Sequence, residues 1–319
     1  PGKWTPYNIN TRIWYANSRK EGQELIRESE KIKPDIIFIT GLYSWPFTLV
    51  PLIYCKAKKK IISIRGMLHP GALQQKTWKK KWFIKAFNLV GFPKRVAFHA
   101  TDEQEASYIR SQFGNKSAIF IAGNIPNFIG KMPSPTKSKN ELKLLTIALI
   151  SPMKNYLKVL NALRNVDFSV TYNIYGAVKD EGYLAQCKSV AATLPSNIKV
   201  VFHGELPPDL IRVTLEAHHV FILPSESENF GHAIYEALSA GRPVITSHNT
   251  PWNHLEENHV GLNVNPEIEM EISQAIHSFG TMDNVSFVNE CEAAFQYALG
   301  YYKLDEILAK YKSMFDVNL

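Results

Sequence analysis

Two doubly wound α/β domains are expected from this chain on three grounds. Short apolar runs of strand character alternate with segments of helical period along most of its length, the pattern of parallel sheets covered by helices. The stretch GKMPSPTKSKN, from Gly130 to Asn140, breaks that alternation with the prolines, lysines and small polar residues of a linker. Charge divides at the same place. Residues 1–130 hold 21 Lys and Arg against 8 Asp and Glu, a net of +13, whereas residues 131–319 hold 15 against 21, a net of −6. Such asymmetry points to two domains with different partners. We set the domains at 1–130 and 131–300, with a closing helical segment over 301–319.

In the first domain DIIFIT, KKIISIRG, RVAFHAT and KSAIFIAGN read as strands, with helical stretches such as Ala106 to Phe113 between them. The run from Ile36 to Cys55 is uncharged and followed by KAKKK, the length and flank of a membrane span. Gly41, Ser44, Pro46 and Pro51 break it into a short strand, a turn and a short helix instead. Past the linker, KLLTIALIS is a strand, and a helix follows over Tyr156 to Arg164. The series continues with strand VTYNIYG, a helix from Glu181 to Leu194, strand NIKVVFHG, and a helix from Pro208 to His218. At the end, Leu304, Ile307, Leu308 and Tyr311 fall at helical spacing.

The most informative segment is PSESENFGHAIYEALSAGRPVIT, Pro224 to Thr246. A buried-strand pattern, HHVFILPS, runs into an acidic loop; a helix from His232 to Ala240 follows, closes at Gly241, and leads into another apolar strand. A helix N-terminus at the carboxyl end of a parallel strand offers backbone N–H groups and partial positive charge to a phosphate. Gly231 lets a ligand approach the backbone closely. Glu228 before the turn and Glu236 one turn into the helix could each accept hydrogen bonds from sugar hydroxyls. Either glutamate alone would more commonly be a solvated surface residue. It is their joint spacing around Phe230-Gly231 that suggests a diphosphate flanked by hydroxyl-binding carboxylates.

ENFGHAIYEALSAGRPV resembles the E-x7-E signature of retaining GT-B glycosyltransferases of the family 4 type, as found in bacterial polysaccharide, capsule and O-antigen synthesis. The resemblance implies two Rossmann-like domains with a cleft between them, and a nucleotide-sugar donor held mainly by the second. It assigns Glu228 to the donor sugar, Glu236 to the ribose hydroxyls, and the amides around Asn229, Phe230, Gly231 and His232 to the diphosphate. In the same frame, ALISPMKNYLKVLNAL stands where the family has G-R-L-x-x-x-K-G. Lys154 falls on the family lysine that neutralises the leaving diphosphate, so Glu228 and Lys154 are the expected catalytic pair. Leu149 occupies the place of the family arginine and Asn155 that of the glycine. Gly176, ending IYG, and Leu206, in FHGEL, resemble strand ends that border the nucleotide, though plain strand-to-loop transitions would look the same. TPWNHLEENHVGLNV resembles the scaffold that follows the donor site.

ISIRGMLHPGALQQKTWKKK resembles the acceptor-side domain of bacterial polysaccharide glycosyltransferases. Arg65 lies near a histidine position of many relatives; it could touch donor phosphate or acceptor, or be a surface residue. His69 is chemically able but equally suited to a structural role. The family's N-terminal glycine-rich loop is not recognisable. Because the chain opens at PGKWTPY without methionine, we expect further residues ahead of it.

Residues 36–101 carry twelve Lys and Arg and no acidic residue. Within them, Trp78, Trp82, Ala86 and Leu89 share one helical stripe of the 74–90 segment, with Lys76, Lys80 and Lys81 elsewhere and Phe83 and Phe87 blurring the division. Such a helix either packs its aromatics inward or rests on an anionic membrane. Nucleic acid is not indicated, since no helix-turn-helix, RNP or zinc pattern accompanies the charge. Three distant cysteines, Cys55, Cys187 and Cys291, suit a reducing compartment and have no metal spacing. No D-x-D sequence occurs, so neither metal nor other cofactor is expected.

The resulting expectation is a hexosyltransferase-like enzyme moving sugar from a nucleotide diphosphate to a saccharide or lipid-linked saccharide. It would work in the cytoplasm, either free or peripherally on the inner face of the cytoplasmic membrane. A non-catalytic nucleotide-sugar-binding subunit, or a membrane- or polyanion-binding scaffold on the same fold, is the competing expectation.

Overall fold

The computed structural model describes every residue except 1, 2, 16–21, 75, 76, 126, 130–134, 302, 318 and 319. The chain divides into two compact units, one formed by residues 1–125 with 304–319 and the other by residues 126–303.

In the first unit, β1 (Trp4–Asn8) and β2 (Thr11–Trp14) form an antiparallel hairpin absent from the strands read above. Trp4 donates its indole N–H to Glu28 of α1 (Gly22–Ile32). The main sheet is parallel and runs in chain order: β3 (Ile36–Thr40), β4 (Lys59–Ser63), β5 (Ala97–Ala100) and β6 (Ala118–Ile121). Right-handed crossovers between consecutive parallel neighbours place the intervening helices on one face. Accordingly α2 (Val50–Tyr54), α4 (Thr77–Leu89) and α5 (Glu103–Phe113) bury Leu52, Ile84, Phe87, Ile109 and Phe113 against Ile39, Ile62 and Phe98; a short α3 (Pro70–Gln74) precedes α4. The Ile36–Cys55 run is thus β3, a wide helical turn over Trp45–Leu49, and α2. Among the described residues no helix is long and apolar enough to cross a membrane.

The second unit carries a six-stranded parallel sheet. Its strands are β7 (Glu141–Ile147), β8 (Ser169–Tyr175), β9 (Ile198–Gly204), β10 (Val220–Leu223), β11 (Val244–Ser247) and β12 (Gly261–Val264). Their spatial order is β12-β11-β10-β7-β8-β9. Counted from β7, this is the 3-2-1-4-5-6 arrangement of a Rossmann sheet, whose direction of winding reverses between β7 and β10. Strand alternation feeds two cores. Val220 and Ile222 of β10 face α6 (Tyr156–Ala162), α7 (Glu181–Ala191) and, beyond α8 (Ile211–Glu216) and α9 (His232–Ser239), the later helix α10 (Glu269–Thr281). Phe221 and Leu223 face α9 and α11 (Asn284–Tyr301).

The last helix, α12 (Leu304–Met314), belongs to the first unit. Met314 and Tyr311 cover Ile36, Phe38, Ile61 and Ala97 on the sheet face that the crossover helices leave bare. The end of the segment of linker composition is packed: Lys137 is buried and its ammonium donates to the carbonyls of Ser138, Gly280 and Met282.

Candidate functional site

The carboxyl ends of β7 and β10 are neighbours at the reversal of the second sheet, the place where open α/β sheets bind ligands. Each strand continues into a loop, and the loops are tied together. After β7, Ser151–Asn155 makes a tight turn in which Asn155 takes left-handed backbone, φ 57° and ψ 33°. Its amide side chain donates to the Pro224 carbonyl over 2.7 Å, and the Glu226 amide donates to the Met153 carbonyl over 2.8 Å. Asn is the non-glycine residue best suited to this conformation, which explains how it stands where the family has glycine. The replacement adds a side chain that fastens one loop to the other.

This fastening brings Lys154 and Glu228 together. The Lys154 ammonium lies 2.5 Å from Glu228 Oε1, and both side chains are largely buried. Ser225, which the sequence analysis passed over, donates its hydroxyl to the same carboxylate oxygen over 2.8 Å. Ser247 from the end of β11 in turn donates to the Ser225 carbonyl over 2.5 Å. The carboxylate is therefore held by two donors from two strand ends.

Gly231 begins α9 at φ 79°, left-handed backbone that a side chain would strain. A Cβ there would lie 3.1 Å from both Ile234 Cδ1 and Trp252 Nε1. No side chain caps the helix; the amides of Ile234 and Tyr235 turn back to the Gly231 carbonyl. The preceding loop is anchored by aromatic packing. Trp252 donates its indole N–H to the Phe230 carbonyl, while the Phe230 ring packs with Trp252, Tyr235, Tyr301 and His232. Asn229 and His232 are exposed beside it.

Glu236 lies one turn into α9, half-buried, and accepts from Asn127 over 3.4 Å. Burial pushes its carboxyl above the usual carboxylate range, with the Asn127 amide acting in the opposite direction. Asn127 was invisible as a site residue because nothing in its local sequence announces that it lies along α9.

Gly176 follows β8 at φ 152°, and a Cβ would lie 1.9 Å from the Ala148 carbonyl oxygen. That carbonyl is held by the Tyr156 hydroxyl over 2.8 Å, so the β7 and β8 loops pack backbone to backbone. Leu149, in the place of the family arginine, is 49% exposed. Leu206 follows β9, the edge strand of the same sheet, two strands away from the β7–β10 reversal.

Arg65 and His69 belong to the first unit. Arg65, at φ 52°, donates to the Asn124 side chain, while the adjacent Gly66 amide donates to the buried Glu105 over 2.5 Å. His69 is exposed, and its Nδ1 accepts the Gly71 amide over 3.2 Å at the start of α3. Among the described residues, no group of three or more His, Cys, Asp or Glu is placed to hold a metal ion.

Residues 130–292 match the family model described as glycosyl transferases group 1, just over half of the chain. The protein belongs to that family. A comparison with curated protein sequences gives no significant match. Solved structures with the same fold include a glycosyltransferase from Rickettsia africae, 16% identical with a TM-score of 0.70, covering 94% of this chain and 83% of the other. The sucrose-phosphate synthase of Thermosynechococcus elongatus is 15% identical, TM-score 0.71, covering 99% and 85%. Anabaena Alr3699/HepE, solved in complex with UDP and glucose, is 15% identical, TM-score 0.65, covering 92% and 80%. The fold is accordingly GT-B, with two Rossmann-like domains.

Proposed function

We propose that this glycosyltransferase is a retaining enzyme of the family 4 type, taking a hexosyl group from a nucleotide diphosphate. The acceptor is a saccharide or lipid-linked saccharide of cell-surface polysaccharide synthesis, met on the cytoplasmic side of the membrane. The observation that carries this reading is the Lys154–Glu228 contact at the ends of two neighbouring strands at the sheet's reversal. In this reading the donor diphosphate lies against the first turn of α9, Lys154 supplies positive charge as the leaving group develops, and Glu228 meets the donor sugar. Glu236 accepts the ribose hydroxyls. No metal is assigned a part. A UDP-bound relative of the same fold is consistent with a nucleotide diphosphate here.

Transfer is tested with a panel of nucleotide sugars and saccharide acceptors, following nucleotide release, with the anomeric configuration of the product read by NMR. Lys154→Ala and Glu228→Gln are expected to lower transfer by roughly 10²–10³-fold, as loss of one charge-stabilising donor does elsewhere. Full activity in either variant, with the fold intact, overturns the reading. Exposed Leu149 in the arginine position favours a second reading, a nucleotide-sugar-binding subunit without catalysis. Calorimetric donor binding with neither hydrolysis nor transfer across the panel would select it.

A further inference from the structure

The basic segment of the first unit contains a feature that sugar transfer does not use. A cavity of about 700 Å³ opens between α2 and α4. That is within the roughly 300–1,000 Å³ range of small-molecule sites. Its walls are apolar: Leu49, Leu52, Phe83, Phe87, Val90 and Val96. Its rim is cationic, with Lys58, Lys60 and Arg95. Lys60 donates to the Leu52 carbonyl over 2.7 Å, and Lys58 pairs with Asp35 at 2.9 Å in an exposed contact. Arg95 is exposed and ion-pairs with no carboxylate among the described residues.

The position in the fold separates this cavity from the strand-end loops. Lys58, Lys60, Arg95 and Val96 sit where β4 and β5 begin, at the amino end of the sheet. Arg65 and His69 follow the opposite, carboxyl end of β4.

The helix that forms one wall is two-faced. Ile84 and Phe87 are buried on the sheet, and Phe83 packs with them. Trp78, Trp82 and Leu89 point the other way, with 66%, 67% and 89% of their surface exposed. Tryptophan and leucine so exposed on a soluble face mark a contact with another apolar phase. Around them, Lys79 and Lys85 lie over the Trp78 and Trp82 rings at 5.4 and 5.7 Å. Among the described residues of the acid-free 36–101 run, only Lys58 pairs with a carboxylate. An anionic bilayer supplies what both features lack. Its phosphates complement the cations, its interface accepts tryptophan, and its acyl chains match a deep apolar slot. A nucleic acid would answer the charge and leave the slot empty.

We propose that the α2–α4 cavity takes one acyl chain of an anionic phospholipid whose headgroup the rim cations hold, docking the first unit on a bilayer of net negative charge. Trp78, Trp82 and Leu89 enter the interface beside it. This site is independent of the strand-end reading, and either can fail without the other.

The intact protein is titrated calorimetrically with monomeric dodecyl phosphate and, as neutral control, dodecyl maltoside. It is also sedimented with vesicles of phosphatidylcholine alone or mixed equally with phosphatidylglycerol. One dodecyl phosphate per chain, little binding of the maltoside, and sedimentation only with the mixed vesicles are expected. Ala86→Trp fills the cavity and should abolish dodecyl phosphate binding. Arg95→Glu should weaken it about tenfold or more, as reversal of one interfacial charge implies. Trp82→Ala should weaken vesicle binding while sparing dodecyl phosphate. If Ala86→Trp lowers the thermal midpoint, Val90→Asp at the mouth serves the same purpose. Wild-type indifference to vesicle charge, unchanged dodecyl phosphate binding in both cavity variants, or a concentration-dependent dimer that masks the slot would overturn the proposal.

Discussion

The two units use charge and close contact in opposite ways. In the second, Lys154 is spent on Glu228 and Lys158 on Glu226 and Glu267, so cations fix the geometry of loops. In the first, the cations of the 36–101 run mostly face outward beside exposed tryptophans. Glycine tells the same story. Gly176 and Gly261 of the second unit stand where a Cβ would reach within 1.9 and 2.0 Å of backbone carbonyl oxygens. Gly91 and Gly114 of the first also have positive φ, but a Cβ there meets nothing within 4 Å. Backbone-to-backbone packing is thus a property of particular strand ends of the second unit, in which a Cβ at Gly204, φ 77°, also meets nothing within 4 Å.

That contrast can be broken most directly at the glycines. Gly176→Ala should cost about 4 kcal/mol or more and prevent folding of the second unit, because the obstructing atom is main chain. Gly91→Ala should cost only the left-handed strain of about 1–2 kcal/mol. Chemical denaturation of both variants checks this, and equal midpoints would erase the distinction between the units.

A smaller effect is expected at Asn155. Asn155→Ala loses both the tolerated left-handed backbone and the bond to the buried Pro224 carbonyl, about 2 kcal/mol. Asn155→Gly keeps the backbone and loses only the bond, about 1 kcal/mol. Thermal midpoints ordered wild type, glycine, alanine would support the account; alanine above glycine would refute it.

A further effect appears only on acidification. His219 of the second unit is buried, its Nδ1 accepting the Lys143 amide, and burial pulls its pKa down from 6.5 to about 3. A histidine kept neutral by folding contributes stability above its ordinary pKa, and that stability is lost as pH falls below about 6.5 toward 3. Thermal midpoints should therefore decline on acidification, and His219→Gln should flatten the decline.

Much of this was legible before the structure. The Pro224–Thr246 unit announced itself because a buried strand, a left-handed glycine and an apolar helix stripe each obey a local rule. The outward stripe of Trp78, Trp82, Ala86 and Leu89 was also present as a period. What period cannot say is which side of a helix meets the sheet; that depended on Phe83 and Phe87 finding the core of α2 and α5. Ser225, Asn127 and the role of Asn155 were hidden for a related reason. Each acts through a partner far along the chain, and sequence spacing carries no trace of such a meeting. The burial of Lys137 was hidden in the same way, since the Gly280 and Met282 carbonyls it donates to lie at the end of α10, 143 and 145 residues further on.

The polypeptide passes between the units twice, after Ile125 and again before Leu304, and its helix α12 covers a sheet that began far back at Ile36. Any attempt to isolate the first unit by stopping the gene near Ile125 would strip the apolar cover from Ile61, Ala97 and Phe38. A workable excision has to splice the Leu304–Met314 helix back on, and that helix must be synthesised before the opening unit can finish assembling.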